Sequence, residues 1–150
     1  YRGIRDMVPD GEHIVPLGKA NLVKEGTDVV IISWSYQVEL CRRVADSFEK
    51  EGVSVAVLDL RPLVPLDTEA INEIVTKCGR AVVVQEAPET GGFASEIIAT
   101  INDECFWSLE SPVVRISGFD VPYPVGMLET FYVPDEERIS AAVLKSIEKD

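Results

Sequence analysis

The stretch from Ala81 to Ile101 changes its hydrophobic period midway, and that change decides which kind of sheet this chain can build. Ala81-Val82-Val83-Val84 is apolar and mostly β-branched, the pattern of a strand buried on both faces. From Phe93 to Ile101 the apolar residues return at helical spacing instead. Between the two, Pro88 lacks a backbone donor, and Gly91-Gly92 admits positive φ or the close approach of another backbone or a ligand. A doubly buried strand followed by an amphipathic helix is the unit of a parallel sheet. The turn past the strand's carboxyl end is where ligands and partners dock in such sheets.

The remaining chain repeats the unit. Residues 1–19 carry Arg2, Arg5, Asp6, Pro9, Asp10-Gly11, Glu12, Pro16 and Gly18 and read as a linker arm from a preceding domain. Ala20 to Lys24 and Asp28 to Trp34, joined by Glu25-Gly26-Thr27, predict a hairpin, an antiparallel edge pair. Ser35 is placed to cap a helix that turns Val38, Cys41, Val44, Ala45 and Phe48 inward and stops at Gly52. Val53 to Leu60 is a second strand, halted by Pro62 and Pro65. Asp67 then caps a helix that closes at Gly79, with Leu66 and Ile71 spaced as a hydrophobic staple. The helix after the Gly-Gly turn buries Phe93, Ile97, Ile98, Ile101 and Cys105. Val113 to Ser117 forms the last strand, leading into a constrained loop with Pro122, Pro124, Gly118 and Gly126, and Asp135 caps a final helix. This alternation predicts an α/β fold: three α/β/α layers around a mostly parallel five-stranded sheet that includes one antiparallel edge strand.

A chain of 150 residues is most simply one domain. At that length about 70% of the unfolded surface can be buried without disulfide support. Cys41, Cys78 and Cys105 are odd in number and widely spaced, and His13 is the single histidine, so the residues predict neither a disulfide framework nor a metal site. They read as plain buried thiols in a reducing compartment. Fourteen basic against 26 acidic residues give a net charge of −12, which argues against nucleic acid or an anionic membrane as partner and suits a basic protein. No apolar run reaches the roughly 20 residues needed to cross a bilayer. The start at Tyr1 suggests a segment of a longer polypeptide.

Thr90-Gly91-Gly92-Phe93-Ala94-Ser95 matches neither dinucleotide nor P-loop spacing, and no lysine lies near it, so a structural turn or subunit contact is the favoured reading over nucleotide binding. The serines lack a histidine base; His13 sits in the arm without a catalytic neighbour; Glu86 and Glu89 form no defined carboxylate pair. No catalytic, cofactor-binding or metal residue is assigned. Gln85 and Glu86 are the polar residues best placed for function, against the plainer reading that they anchor the turn.

Pro16-Leu17-Gly18-Lys19-Ala20, Glu25-Gly26-Thr27-Asp28-Val29, Asp59-Leu60-Arg61-Pro62-Leu63, Glu86-Ala87-Pro88 with Thr90 to Ile97, and Tyr132-Val133-Pro134-Asp135 occur in order along nearly the whole chain. Together they resemble the carboxyl-terminal, transketolase-type domain of the β subunit of 2-oxo acid dehydrogenase decarboxylase components, with residues 20–150 as that domain. Glu104-Cys105-Phe106, Leu109-Glu110-Ser111-Pro112 and Gly118 to Pro124 are most similar to branched-chain (2-oxoisovalerate) members, with pyruvate and acetoin enzymes as alternatives. Many members carry histidine where this chain has Gln85, and glutamine cannot titrate.

The resemblance implies an enzyme that uses thiamine diphosphate and Mg²⁺, bound between an α subunit and the preceding domain of β rather than by this segment, to decarboxylate a 2-oxo acid and acylate a lipoyl group. The segment alone is expected to be inactive. It implies α2β2 assembly, contact with a second β subunit, and docking of the acyltransferase core through its small basic subunit-binding domain. Gln85, Glu86, Thr90, Gly91, Gly92 and Phe93 become interface or site-facing candidates, and Glu110 with the last helix become docking candidates. The implied compartment is the cytoplasm of a prokaryote, which is favoured, or the mitochondrial matrix of a eukaryote. Gly92→Val is expected to weaken assembly before it disturbs the isolated fold. A rival reading is a free-standing regulatory module with Gly91-Gly92 lining a small-molecule pocket.

Overall fold

Runs of β-branched residues with no polar alternation can be stable only where both sheet faces are covered, and three such runs fill the middle of the sheet. β2 (Val29–Ser33) is buried throughout, as are the first four residues of β3 (Val55–Asp59) and the first five of β4 (Ala81–Pro88). The computed structural model describes Met7 and residues 10–148; Arg2, Arg5, Asp6 and Pro9 of the expected arm lie outside the described residues. With β1 (Asn21–Lys24) and β5 (Val114–Gly118) at its edges, the sheet has the order β1-β3-β2-β4-β5. Only β1 runs antiparallel, so the expected sheet composition is what the chain forms.

Helices α1 (Gln37–Lys50) and α5 (Glu136–Ile147) cover one face, packing Leu40, Val44, Phe48, Ile139 and Val143 on Ile31, Val57 and Val82. On the other face α2 (Thr68–Cys78) and α3 (Ala94–Cys105) pack Ile71, Ile74, Ile97 and Ile101 on Ile32, Leu58 and Val83. A short α4 (Glu129–Tyr132) interrupts the loop after β5. The alternation of strands and helices read from hydrophobic period is therefore present, with helix boundaries set by local signals. Asp67 accepts from Ala70 N at 3.3 Å, Asp135 accepts from Arg138 N at 2.8 Å, and Gly79 closes α2 at φ +68°.

Three expectations are corrected. β1 does not pair with β2. Instead it lies beside β3, with Asn21 opposite Asp59 and Leu22 opposite Leu58. The Glu25–Asp28 connection steps over the start of β3, held by Thr27 N and Asp28 N donating to Ser54 O at 3.1 and 2.8 Å, and by Ser54 N donating to Asp28 Oδ2 at 2.7 Å. β2 is thereby freed to pair with two parallel strands, which buries its five residues on both faces. A hairpin partner would have used one of those edges. Ser35 does not cap α1: it sits at φ 59°, and the residue preceding the helix is Tyr36, which makes no side-chain cap bond. Finally, β4 does not stop at Val84 but continues to Pro88, with a register shift before Pro88 meets Gly118.

Asp67 is buried yet charged. Burial pushes its pKa up, but donation from Ala20 N (3.0 Å) and Ala70 N and the nearby Lys19 ammonium outweigh that and hold it below the usual carboxylate range. A depressed folded pKa stabilises the protein above the unfolded value of about 3.9, and that stability is lost as pH falls through the folded pKa. Asp67→Asn is therefore expected to lower the neutral-pH melting temperature while removing part of the acid limb of the stability curve. Melting scans from pH 2 to 7 check this, and an unchanged acid limb would count against the assignment.

Candidate functional site

The turn after Val84 is built by one buried side chain. Gln85, 1% exposed, donates from Nε2 to Pro88 O at 2.8 Å and accepts at Oε1 from Ala94 N at 2.8 Å. It thereby closes a ring between the end of β4 and the first residue of α3. The next donors of α3 are also taken: Ser95 N by Gly92 O, and Glu96 N and Ile97 N by Phe93 O. A helix N-terminus binds an anion through free N–H groups. Here the amides of Ala94, Ser95 and Glu96 are already occupied, which leaves the turn poorly suited to a phosphate.

The two glycines do different work. Gly91 takes φ +74° with open space around it, so its role is conformational. Gly92 is buried, and a Cβ there would press on Gln85 Nε2 and come within 2.5 Å of Pro88 O. The expected order of effects for Gly92→Val is therefore reversed: the clash is inside the domain, and the fold is disturbed first. Phe93 is half-buried and meets Trp34 edge to face at 6.1 Å. Gly91, Gly92 and Phe93 do line a cleft of about 560 Å³ with Leu63, Val64 and Leu66, its one charged lining group being Glu96. Thr68, Ser95 and Thr100 supply its remaining polar side chains, so the lining is mixed rather than purely apolar.

Glu86 and Thr90 face solvent. Thr90 is fastened to Asp120, 30 residues away, through its N (2.9 Å) and hydroxyl (2.5 Å), and those bonds hold the Asp120 carboxyl below its usual range. Arg115 ties the turn from below, donating to Glu89 Oε1 at 2.6 Å and Ser95 Oγ at 2.8 Å. Ser33, in β2, donates to Val84 O at 3.0 Å. Sequence reasoning missed Asp120, Arg115 and Ser33 because each acts across the sheet or from a distant loop. Their chemistry is ordinary and only their proximity matters. At the same end of the sheet, Ser35 and Arg61 adopt positive φ, and Arg61 N donates to Asp59 Oδ1 at 3.0 Å.

Gln85, Glu86, Thr90, Gly91, Gly92 and Phe93 thus belong to one corner, with Gln85 and Gly92 inside it and Glu86, Thr90 and Gly91 on its surface. Glu110 is elsewhere, at the amino end of the strands. Its Oε2 lies 2.5 Å from Arg80 Nη2, and its N donates to Gly79 O at 2.7 Å. The carboxylate remains largely exposed (59%) while bracing the α2–β4 corner. Cys41, Cys78 and Cys105 are free and buried, and burial drives the Cys41 and Cys78 thiols up to about 12 and about 11. They are inert as nucleophiles at neutral pH. His13 is exposed. Among the described residues no group of three or more His, Cys, Asp or Glu is arranged to hold a metal ion, and no helix is long and apolar enough to cross a membrane.

Comparison with known proteins agrees with this geometry. The family model for the transketolase C-terminal domain matches residues 18–139. The chain is 45% identical over 148 residues to the mitochondrial 2-oxoisovalerate dehydrogenase subunit beta of Dictyostelium discoideum, covering 98% of this chain and 40% of that protein. It is 40% identical over 148 residues to the pyruvate dehydrogenase E1 component subunit beta of Bacillus subtilis, covering 99% of this chain and 46% of that protein. Among solved structures, an inactive β4 tetramer of a split-gene transketolase superposes with a TM-score of 0.80 at 27% identity, covering 97% of this chain and 46% of that one. The chain spans less than half the length of each of these proteins.

Proposed function

We propose, from the premise that this chain belongs to the transketolase C-terminal domain family, that it is the carboxyl-terminal domain of the β subunit of a 2-oxo acid dehydrogenase, acting in subunit assembly. Identity to two such β subunits over nearly the whole chain carries this reading. The corner around Gln85 supports the assembly role, because its polar groups are spent on holding the chain's own backbone. Residues 1–19 would be the arm from the preceding domain. Branched-chain 2-oxo acids are the preferred substrates; pyruvate or acetoin enzymes are the alternative.

Such an enzyme would use thiamine diphosphate with Mg²⁺ to stabilise the electron pair left by departing carbon dioxide. The described residues do not fit that group: the first amides of α3 are occupied, and no metal-ligand cluster is present among them. This domain's part is to brace the α subunit and a second β subunit, and to help seat the basic subunit-binding domain of the acyltransferase core. The test is to co-express the polypeptide that carries this chain with its α subunit and assay both substrate classes with thiamine diphosphate. Turnover of branched-chain 2-oxo acids is expected. Turnover of pyruvate alone would move the assignment to the alternative, and an assembled protein inactive with either would sink it.

Glu110 and α5 are proposed to face the acyltransferase. Exposed ion pairs are each worth about 0.2–1 kcal/mol and are screened by salt. Glu110→Gln should therefore raise the Kd for the subunit-binding domain about 1.4- to fivefold, and wild-type affinity should fall as salt rises from about 50 to about 500 mM. Titration calorimetry measures both. Affinity indifferent to salt and to the substitution would rule out charge pairing.

A further inference from the structure

Two glutamines are buried at the same end of the sheet, and they differ in what their amides meet. Gln85 and Gln37 are each 1% exposed, and each lies where a strand passes into a helix, Gln85 near the end of β4 and Gln37 in the first turn of α1 after β2. Gln85 spends both amide atoms on the chain's own backbone. Gln37 spends neither: its Nε2 and Oε1 are both buried without a hydrogen-bond partner. Ser33, Asp67 and Ser146 are also buried, and all three bond to main-chain groups. Turning the Gln37 amide over exchanges one unpaired atom for the other and mends nothing.

Leaving both atoms of a buried amide unpaired forfeits a large part of a domain's marginal stability. Buried polar groups without a partner in the chain are met by internal water, each molecule making about three hydrogen bonds.

The surroundings suit such a molecule. Gln37 lies one turn before Cys41 on the buried face of α1, and Cys41 shares a hydrogen bond with Ser33, whose hydroxyl donates to Val84 O at 3.0 Å. Because α1 runs back along the parallel strands β2 and β3, the amide sits beyond Ser33, past the carboxyl end of β2. There β2 sends its helix to the face shared with α5 and β4 sends α3 to the other, so the connections part around a crevice. Polar groups gather at that end. Asp59 stands opposite Ser33 in the ladder, half-buried. No side chain caps the first turn of α1, and Val38 N and Glu39 N reach Ser35 O and Tyr36 O at 3.3 Å, beyond the usual length.

We infer that Gln37 holds an internal water at the β2–α1 corner, bonded to its amide and to polar groups around the carboxyl end of β2. The amide needs a partner that both donates and accepts, and a side chain 1% exposed admits only a small one. Water is the smallest molecule that does both.

A high-resolution crystal structure of the polypeptide that carries this chain, in its assembled form, tests the inference. Ordered solvent is expected within about 3.2 Å of Gln37 Nε2 or Oε1 and of at least one further polar atom. Gln37→Met keeps the length of the side chain and removes both polar atoms. It strands the water's other partners, so the melting temperature should fall by about 2–5 °C; an amide that had no partner would give a rise instead. A smaller fall or a rise would overturn the inference, as would a wild-type structure with no solvent at the amide. An amide bonded directly to its own chain, or to a neighbouring subunit, would overturn it too. Should Gln37→Met fail to fold, the wild-type density alone decides.

Discussion

Gly92→Ala should cost this domain about 3 kcal/mol or more, lowering its melting temperature by roughly 10 °C. The added carbon has nowhere to go. One neighbour is the Gln85 amide, buried and bonded at both ends; the other is the Pro88 carbonyl, part of the main chain. Moving Gln85 aside leaves Ala94 N and Pro88 O without their partner, at about 1–3 kcal/mol for each buried group. Gly91→Ala supplies the contrast one residue away. It has φ +74° and open space, so only the left-handed backbone cost of about 1–2 kcal/mol applies. Calorimetric melting of both variants checks the pair of numbers. Equal effects would mean that the corner is held by backbone conformation alone and that Gln85 is incidental.

Gly26→Ala should be more damaging still. Its Cβ would strike the backbone nitrogen of Ala56 and the carbonyl carbon of Val55, and lie 2.9 Å from Ala56 Cα. Those atoms belong to a central strand already paired on both sides, so no rotamer change relieves the contact. We expect the connection to lift off β3, taking β1 with it, at a cost of several kcal/mol by the overpacking and lost-hydrogen-bond terms together. Hydrogen exchange provides the local readout: amides of the β1–β3 ladder should lose protection before those between β2 and β4. A variant with wild-type protection at Leu22 and Leu58 would show that the crossing tolerates a side chain.

These two glycines also mark where reading the chain succeeds and fails. Both stand out in the sequence as turn residues, and both turns exist. For Gly26 the hairpin expectation used the right residues and the wrong neighbour, because the four-residue connection is compatible with pairing to β2 or with stepping over β3. For Gly92 the expectation of an assembly contact followed from the absence of a phosphate-binding pattern and from the family resemblance, neither of which shows that the space beside it is filled by Gln85 and Pro88 of the same domain. Gln85 was legible as a polar residue in a special place, and the plainer of its two readings describes its bonds. The stretch from Gly118 to Gly126 was read as a constrained loop; its prolines and glycines reveal the constraint, but not that Val121 and Val125 between them are exposed.

What the sequence alone determined is the five strands, the four long helices and those helix ends that carry their own capping signal. Period, capping residues and terminal glycines act over four or five residues, so Asp67, Asp135 and Gly79 could be assigned without any knowledge of the fold. The tertiary structure decided which strands are neighbours, and hence that β1 lies against β3, that Thr90 meets Asp120 and that Glu110 meets Arg80. Each of those contacts joins residues 30 or more apart. Their selection depends on which arrangement buries β2, β3 and β4 on both faces at once, a property of the whole sheet that no local stretch of residues carries.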